Sequence, residues 1–289
     1  MKIPTKKLNT GFEMPVYGLG TWQMGGRLER DISNDDSADI NGIKAAINAG
    51  ITHIDTAELY ADGYTEVLIG KAIKDFDRST LFIASKVKKE NLSFDGVINS
   101  CKKSLERLGV DYLDLYLIHF CNPEIPLQET MRALDFLKEN GFIKNIGVCN
   151  FTVESLKEAQ SYTNNKIVCN QVHYNLIFRE PELKGVVEYC QKNDIFISAW
   201  RPLQKGMFSE DAPQIILDMA EKYKKTPAQI AINWLVSQPY VITLSKTRSE
   251  EHLNQNLGAL DFIMDNDDIE KIRKEYPDQE EISDAVPLG

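Results

Sequence analysis

The chain has 289 residues, of which 43% are hydrophobic and 26% charged, so a disordered chain is excluded and either one large globular domain or two ordinary ones are expected. The net charge of −10 argues against general nucleic-acid binding and against anionic membranes, since both need clustered positive charge. No apolar run approaches the ~18 residues of a membrane span. The polar start lacks the pattern of a signal peptide. Five cysteines without a CxxC pair are typical of free thiols in a reducing cytoplasm, where we expect the protein.

Short β-branched, apolar runs alternate along the chain with longer segments of helical periodicity. The exception near the start is the polar stretch 25–36, which we expect to be a loop. Runs such as LDLYLIH and IFISAW are almost continuously apolar, which is typical of parallel strands buried on both faces. The predicted strands are 16–20, 53–55, 81–86, 113–119, 145–149, 168–172, 195–200 and 241–244.

Two of the predicted helices carry an apolar stripe that would pack against a sheet. Three glycines directly follow helical stretches, where a left-handed residue ends a helix. Thr226 and Pro227 form an N-cap and first helical residue, and they predict a helix over TPAQIAINWLVSQ. The two stripes are Val97, Cys101, Leu105 and Leu108, and then Leu127, Met131, Leu134 and Phe136 with Leu137; the glycines are Gly50, Gly109 and Gly141.

Eight βα units in 289 residues favour an α/β fold of the (β/α)8 TIM-barrel type, as a single domain over 1–289. An open dinucleotide-binding sheet usually shows G-x-G-x-x-G after its first strand, and GLGTW at 18–22 lacks the third glycine. Two segments fall outside the eight units. We expect 2–16 to form an N-terminal β-hairpin with its turn at 9–11, closing the barrel bottom, and 265–276 to form an extra C-terminal helix.

Polar or aromatic side chains end almost every predicted strand. In such a barrel the chemistry lies at the C-terminal ends of the strands, so these side chains would share one rim. A purely structural barrel would place one or two there by chance. The strand-end residues are Gly20, Thr21, Trp22, Asp55, Lys86, His119, Asn150, Gln171, Trp200 and Lys246.

Four residues of this region suit proton transfer to a carbonyl: Asp55, Tyr60, Lys86 and His119. A tyrosine has an ordinary pKa of about 10, which a nearby lysine ammonium lowers. A carboxylate beside the lysine keeps it charged, and a histidine can donate a hydrogen bond to a carbonyl oxygen. Hydride addition to a carbonyl needs such an acid because the product is an alkoxide. Singly, each residue has a structural interpretation, such as a helix cap for Asp55 or a packed aromatic for Tyr60. Jointly, at three consecutive strands, they favour catalysis.

On these residues the sequence resembles an aldo-keto reductase of the prokaryotic type, over nearly the whole chain. The IDTA-x-x-Y block followed by the lysine and histidine strands is the most specific part of the resemblance. The matching segments are PVYGLGTW (15–22), THIDTAELYADGYTEVLIGKAI (52–73), IASKV (83–87), LDLYLIH (113–119), IKNIGVCNF (143–151), NQVHYN (170–175), AWRPL (199–203) and 246–256.

The resemblance implies an NAD(P)H-dependent oxidoreductase of the carbonyl reductase type, which reduces a small aldehyde or ketone to an alcohol. Tyr60 would be the general acid, Lys86 and Asp55 would lower its pKa, and His119 would orient the carbonyl. The substrate would contact Trp22, Tyr60, His119 and Phe120, with 25–36 and 283–289 as the outer wall. This largely aromatic inner wall suits an apolar substrate body.

The resemblance also implies NADP(H) as cofactor, with NAD(H) as the alternative, extended across the barrel top. Asn150 and Gln171 would hold the nicotinamide carboxamide, and Trp200 would stack on the ring. The remaining candidates are Gly20, Thr21, Trp22 and Asp55 on the nicotinamide ribose side, Leu203 at the pyrophosphate, Lys246, Thr247, Arg248 and His252 at the 2′-phosphate, and Gln255 and Asn256 at the adenine.

Four positions depart from the family pattern. Cys149 replaces the usual serine, Trp200 the usual tyrosine, and Arg201 a small residue. His252 stands where many members carry arginine, and a neutral histidine cannot make the bidentate fork. Lys246 and Arg248 then remain as phosphate partners, and NADPH is the expected cofactor.

Two other functions stay open on the residues. One is a cofactor-binding regulatory or redox-sensing subunit without significant turnover. The other is a barrel glycosidase, which needs two facing carboxylates, whereas only Asp55 clearly ends a strand. The four histidines are scattered, so no metal site is predicted. Partners are expected to be limited to a small carbonyl substrate, with no nucleic acid and no membrane, in a monomer or weak oligomer.

Overall fold

The computed structural model describes residues 2–204, 212–277 and 279–289; Met1, 205–211 and Asp278 of the predicted domain span lie outside them. The chain begins with an antiparallel hairpin of β1 (Thr5–Lys7) and β2 (Glu13–Pro15), whose turn is closed by the Gly11 N–H on the Leu8 carbonyl at 2.9 Å. The predicted hairpin and its turn are therefore confirmed.

The hairpin closes the end of the barrel where its strands begin. Lys6 donates from Nζ to the carbonyls of Val236, Gln238 and Val241 at 2.6 to 2.7 Å. Leu8, which follows β1, and Met14, in β2, pack into the apolar cluster that fills the barrel interior. This filling is made of Leu8, Met14, Ala84, Leu115, Leu117, Cys149, Val168, Cys169, Phe196 and Ile242.

Eight parallel strands in the described part of the chain close into a barrel, so the predicted TIM barrel is confirmed. Each strand pairs with its neighbour in sequence, and the last strand pairs with both the seventh and the first. All strand ends of one polarity therefore meet at one rim. The barrel strands are β3 (Tyr17–Gly20), β4 (His53–Asp55), β5 (Phe82–Val87), β6 (Leu115–Ile118), β7 (Ile146–Cys149), β8 (Ile167–His173), β9 (Phe196–Trp200) and β10 (Val241–Ser245).

Helices surround the barrel, and a continuous apolar layer lies between them and the strands. Of the helices described, none is both long and apolar enough to cross a bilayer. The helices are α1 (Asp36–Asn48), α2 (Tyr64–Ile73), α3 (Phe94–Leu108), α4 (Leu127–Glu139), α5 (Val153–Ser161), α6 (Glu180–Leu183), α7 (Val186–Lys192), α8 (Gln214–Tyr223), α9 (Pro227–Ser237), α10 (Glu250–Leu257) and α11 (Asn266–Glu275).

The predicted stripe of α3 is buried throughout, and that of α4 needs one correction. Leu137 is fully buried, whereas Phe136 is 38% exposed and contacts the Phe94 ring instead, at 6.0 Å between centroids. Successive helical residues point ~100° apart, so both cannot face the barrel. The predicted helix ends are confirmed, because Gly50, Gly109 and Gly141 all have positive φ.

The start of α9 has the predicted N-cap, completed by a reciprocal contact. Thr226 Oγ1 accepts the backbone N–H of Gln229 at 3.3 Å, and the Gln229 side chain accepts the Thr226 N–H at 2.9 Å. This capping box satisfies two backbone donors that the first helical turn leaves open. It fixes the helix that leads into β10.

Replacing Thr226 by alanine removes the side-chain acceptor and leaves a helix-end N–H without its partner. We expect Thr226→Ala to lower the free energy of unfolding by about 1 kcal/mol, as measured by urea denaturation. Thr226→Ser keeps the acceptor and is the matched control. Equal stability of the alanine variant and the wild type would show that the cap contributes nothing.

Candidate active site

A buried ion pair lies at the centre of the rim. Lys86, near the end of β5, places Nζ 2.6 Å from Asp55 Oδ1 and 2.7 Å from the Thr56 carbonyl oxygen. The Lys86 side chain is 0% exposed. Burial alone would lower the pKa of Lys86, but the Asp55 carboxylate outweighs burial and raises it above its ordinary value. The lysine is therefore a fixed positive charge.

Tyr60 lies beside this charge, at the start of a 3₁₀ turn after β4. Its hydroxyl is 3.3 Å from Lys86 Nζ. Burial raises the pKa of Tyr60 to about 12, while the Lys86 charge acts in the opposite direction. Lys86 therefore acts on the pKa of Tyr60 in the predicted direction, but Asp55 raises this pKa instead of lowering it. Because burial is the largest effect, the predicted net lowering is not found. The phenol keeps its proton at neutral pH and is available as an acid.

His119 follows β6 and faces the same space. Its ring centroid lies 5.7 Å from that of Tyr60, and it stacks on Phe120 at 4.3 Å. Burial, assisted by the Lys86 charge, lowers the pKa of His119 well below its ordinary value, so the imidazole is neutral. Trp22 packs against the other side of Tyr60 at 4.9 Å. The four predicted substrate-contacting residues therefore form one wall of rings.

The loop before α1 lies against the segment that follows Tyr60. The Ala61 N–H donates to the Arg27 carbonyl at 2.7 Å, and the Asp62 N–H donates to the Leu28 carbonyl at 2.8 Å. Ala61 and Asp62 both have positive φ, which turns these donors toward the loop. The stretch predicted as outer wall is thus placed beside the wall of rings, although Asp36 already belongs to α1.

Asp55 also joins the site to β3, the neighbouring strand, and to β8 across the barrel. Its Oδ2 accepts from the Gln171 amide at 2.9 Å, and its backbone carbonyl accepts from Thr21 Oγ1 at 2.8 Å. Gln171 lies two residues before the end of β8, and Thr21 follows Gly20 at the end of β3. The carboxylate is therefore held between a cation and an amide.

Asn150 presents an unpaired oxygen to the rim. It has a φ of 60° and is 6% exposed, and its buried Oδ1 has no hydrogen-bond partner among the residues the structure describes. A buried acceptor without a donor costs about 1–3 kcal/mol, so this oxygen is suited to a donor supplied by a ligand. Cys149, which precedes it, is buried, and burial raises the pKa of that thiol.

Trp200, at the end of β9, packs against His173, a contact that the sequence did not predict. His173 stacks on it at 4.3 Å and on Phe178 at 4.4 Å. His173 also bonds to Ser283 at 2.7 Å and to Gln204 at 3.0 Å. Burial lowers the pKa of His173 to about 4. Its position two residues after Gln171, on the same face of one strand, was the available signal.

The tail that was predicted as outer wall does run along this rim. Ser283 contacts His173, as above, and the Gly289 N–H donates to the Asn150 carbonyl at 2.8 Å. Glu180, which is buried, accepts the backbone N–H groups of Ser283 and Leu288 at 3.0 and 3.2 Å. The tail is therefore fixed beside both the asparagine and the tryptophan.

The remaining cofactor candidates lie around the turn between β10 and α10. Lys246, His252 and Gln255 are exposed, and Asn256 is buried and donates to Ser245 Oγ at 3.3 Å. Thr247 is partly buried. The side chain of Arg248 contacts the loop before α1. Leu203, half-buried, directly precedes Gln204, after which 205–211 lie outside the described residues.

Neither a metal cluster nor a disulfide is found within the described ranges, which include all five cysteines. The site is instead a charged lysine, a protonated phenol and a neutral imidazole at the C-terminal rim of a parallel barrel. That combination defines a barrel with a proton-donating rim. The chain belongs to the aldo/keto reductase family, whose family model matches residues 17–276.

Relatives and solved structures agree with this assignment. Glyoxal reductase from Bacillus subtilis is 36% identical over 93% of this chain and 91% of its own length. Methylglyoxal reductase YeaE from Escherichia coli is 31% identical over 91% of this chain and 92% of its own length. The thermostable aldo-keto reductase Tm1743, solved with the inhibitor epalrestat, superimposes with a TM-score of 0.90 at 43% identity, covering 94% of this chain and 99% of that one. An aldo-keto reductase from Klebsiella pneumoniae, solved with NADPH, gives 0.85 at 32% identity, covering 100% and 99%.

Proposed function

We propose that the protein reduces the carbonyl group of a small aldehyde or ketone to an alcohol, with NADPH as the preferred cofactor. The observation that carries the proposal is the position of the protonated Tyr60 hydroxyl, 3.3 Å from a buried, charged Lys86. The relatives named glyoxal reductase and methylglyoxal reductase support this class of reaction.

The rim fits a nicotinamide cofactor. The unpaired Oδ1 of Asn150 suits the N–H of a carboxamide, and Trp200 offers a flat aromatic face. Lys246 and Thr247 are the candidates for the adenosine 2′-phosphate. When bound, the cofactor supplies the hydride that adds to the carbonyl carbon. The Klebsiella pneumoniae neighbour solved with NADPH supports the choice of nucleotide.

The residues of the chain handle the proton. Tyr60 donates its proton to the substrate oxygen as negative charge develops there. The phenolate left behind is stabilised by the adjacent ammonium of Lys86, which Asp55 holds in place. His119, neutral at physiological pH, donates a hydrogen bond that orients the same oxygen.

The substrate is proposed to be a small aldehyde, including dicarbonyl compounds such as methylglyoxal. The wall formed by Trp22, Tyr60, His119 and Phe120 is aromatic, and its rings lie within 4.3 to 5.7 Å of one another along the series. Such a wall accepts a short carbon chain by apolar contact and leaves recognition of the oxygen to the tyrosine and histidine.

The regulatory alternative is disfavoured because the charged, protonated and neutral groups each have the state that turnover needs. The glycosidase alternative is disfavoured by Asp55, whose two oxygens are engaged by Lys86 and Gln171. The test is oxidation of NADPH and NADH, followed by absorbance, with a panel of aldehydes, ketones and dicarbonyls. Tight nucleotide binding without turnover on the whole panel would favour the regulatory function.

Lys246→Ala is expected to weaken NADPH binding about 10- to 100-fold, the value of one charge-assisted hydrogen bond. NADH lacks the 2′-phosphate, so its dissociation constant should stay unchanged. Both are measured by titration of intrinsic fluorescence. A lysine that served only as a solvated surface charge would leave both constants unaltered.

A further inference from the structure

A fully buried carboxylate lies beneath the loop 23–35. Asp39, in the first turn of α1, is 0% exposed. Its Oδ2 accepts the backbone N–H of Gly25 at 2.9 Å and the side-chain amide of Asn34 at 2.8 Å. One carboxylate oxygen thus holds the beginning and the end of the loop. A buried carboxylate also needs a positive partner, since an unpaired charge is costly in the interior.

The positive partner is Arg248, which comes from the turn between β10 and α10. Its Nε donates to Asp39 Oδ1. Its Nη2 donates to Asn34 Oδ1 at 3.0 Å and to the Gln23 carbonyl at 3.3 Å. The guanidinium therefore binds two oxygens of the loop 23–35 and one oxygen of Asp39, whose carboxylate compensates its charge.

We propose that Arg248 is a positioning residue that holds the turn carrying Lys246 against the loop 23–35, which directly follows Trp22. This role replaces the phosphate contact expected from the sequence, and it rests on the proposed use of a nicotinamide cofactor. Lys246 lies two residues before Arg248, and Trp22 directly precedes Gln23. The contacts of Arg248 thereby position both the turn at the adenosine side of the rim and the aromatic wall next to Tyr60.

A positioning role for Arg248 and a direct contact with the 2′-phosphate predict different effects on the binding of NADPH and NADH. A contact to the 2′-phosphate is made only with NADPH, so its loss weakens NADPH alone. The contacts of Arg248 with Asp39 and the loop set the position of the whole turn, so their loss weakens the binding of NADPH and of NADH by the same factor. Asp39 is fully buried, so a substitution there can affect the nucleotide only through its partners, which are Arg248 and the loop 23–35.

The experiment measures the dissociation constants of NADPH and NADH by tryptophan fluorescence in folded variants. We expect Arg248→Gln to raise both constants by about 10-fold, which is within the range of coupling between contacting groups. Asp39→Asn should reproduce this effect, and combining the two should add little more. Arg248→Lys keeps the charge but loses the fork, so both constants should stay raised. Lys246→Ala is the matched control that affects NADPH only.

A rise in the NADPH constant with an unchanged NADH constant in Arg248→Gln would overturn the proposal in favour of a phosphate contact. Unchanged constants, with only the melting temperature lowered, would overturn it in favour of a stability role. If Arg248→Gln does not fold, the double variant Asp39→Asn with Arg248→Gln, which leaves no unpaired charge, takes its place. The same two dissociation constants are then measured, and the same outcomes support or overturn the proposal. The binding assay needs no turnover. A wild-type protein that binds nucleotide but reduces no carbonyl would overturn the proposed function and leave the positioning role of Arg248 intact. A wild-type protein that binds neither nucleotide would overturn both proposals.

Discussion

Tyr60→Phe is expected to lower turnover of a small aldehyde by about 10²- to 10⁴-fold, the usual contribution of a positioned proton donor. The substitution removes only the hydroxyl, which lies 3.3 Å from Lys86 Nζ. The ring keeps its contacts with Trp22 at 4.9 Å and with His119 at 5.7 Å. Nucleotide binding should therefore be retained.

The measurement is kcat with NADPH together with the dissociation constant of NADPH. Tyr64→Phe is the matched control, because that hydroxyl bonds to Asp36 at 2.7 Å and has no part in the proposed chemistry. The control should turn over at the wild-type rate. Retained turnover in Tyr60→Phe would remove this tyrosine from its proposed role.

Lys86→Met is expected to have the largest combined effect on stability and activity. It leaves the Asp55 carboxylate buried without its cation, and breaking such a pair costs about 3–5 kcal/mol of unfolding free energy. It also removes the charge that stabilises the Tyr60 phenolate, so turnover should fall by about 10²-fold or more. Urea denaturation and kcat measure the two effects.

The double variant Lys86→Met with Asp55→Asn separates the effect on stability from the effect on turnover. A neutral pair has no unpaired buried charge, so most of the lost stability should return. Turnover should not return, because the phenol still lacks its cation. A Lys86→Met protein with wild-type turnover would show that the lysine only packs the strand end.

The strands could be predicted because burial on both faces leaves a continuous apolar run. β4 has the predicted bounds. The misplaced ends have physical reasons. β8 extends one residue beyond the predicted end to His173, a polar residue after Val172 that pairs with Trp200 of β9. Leu113 was included in the fourth predicted strand, but it makes only an isolated bridge to Ile143.

The ring of strand-end residues could also be predicted, because closure of the barrel decides that these ends meet. The direction of a side chain across the rim could not. Arg248 lies 209 residues from Asp39 in sequence, and no local pattern shows that its guanidinium turns toward that carboxylate. The net pKa of Tyr60 depends on burial, which the sequence does not provide, so the lysine alone gave an incomplete prediction.

The measurement that tests the central claim most directly is the fate of deuterium from NADPH labelled at both C4 positions, with methylglyoxal and the other carbonyls of the panel. Mass spectrometry of the product alcohol should show a single deuterium on the carbinol carbon, formed in proportion to the NADPH consumed. Labelled NADPH that binds but yields no alcohol, or alcohol that carries no deuterium, would contradict a carbonyl reductase with Tyr60 as its acid.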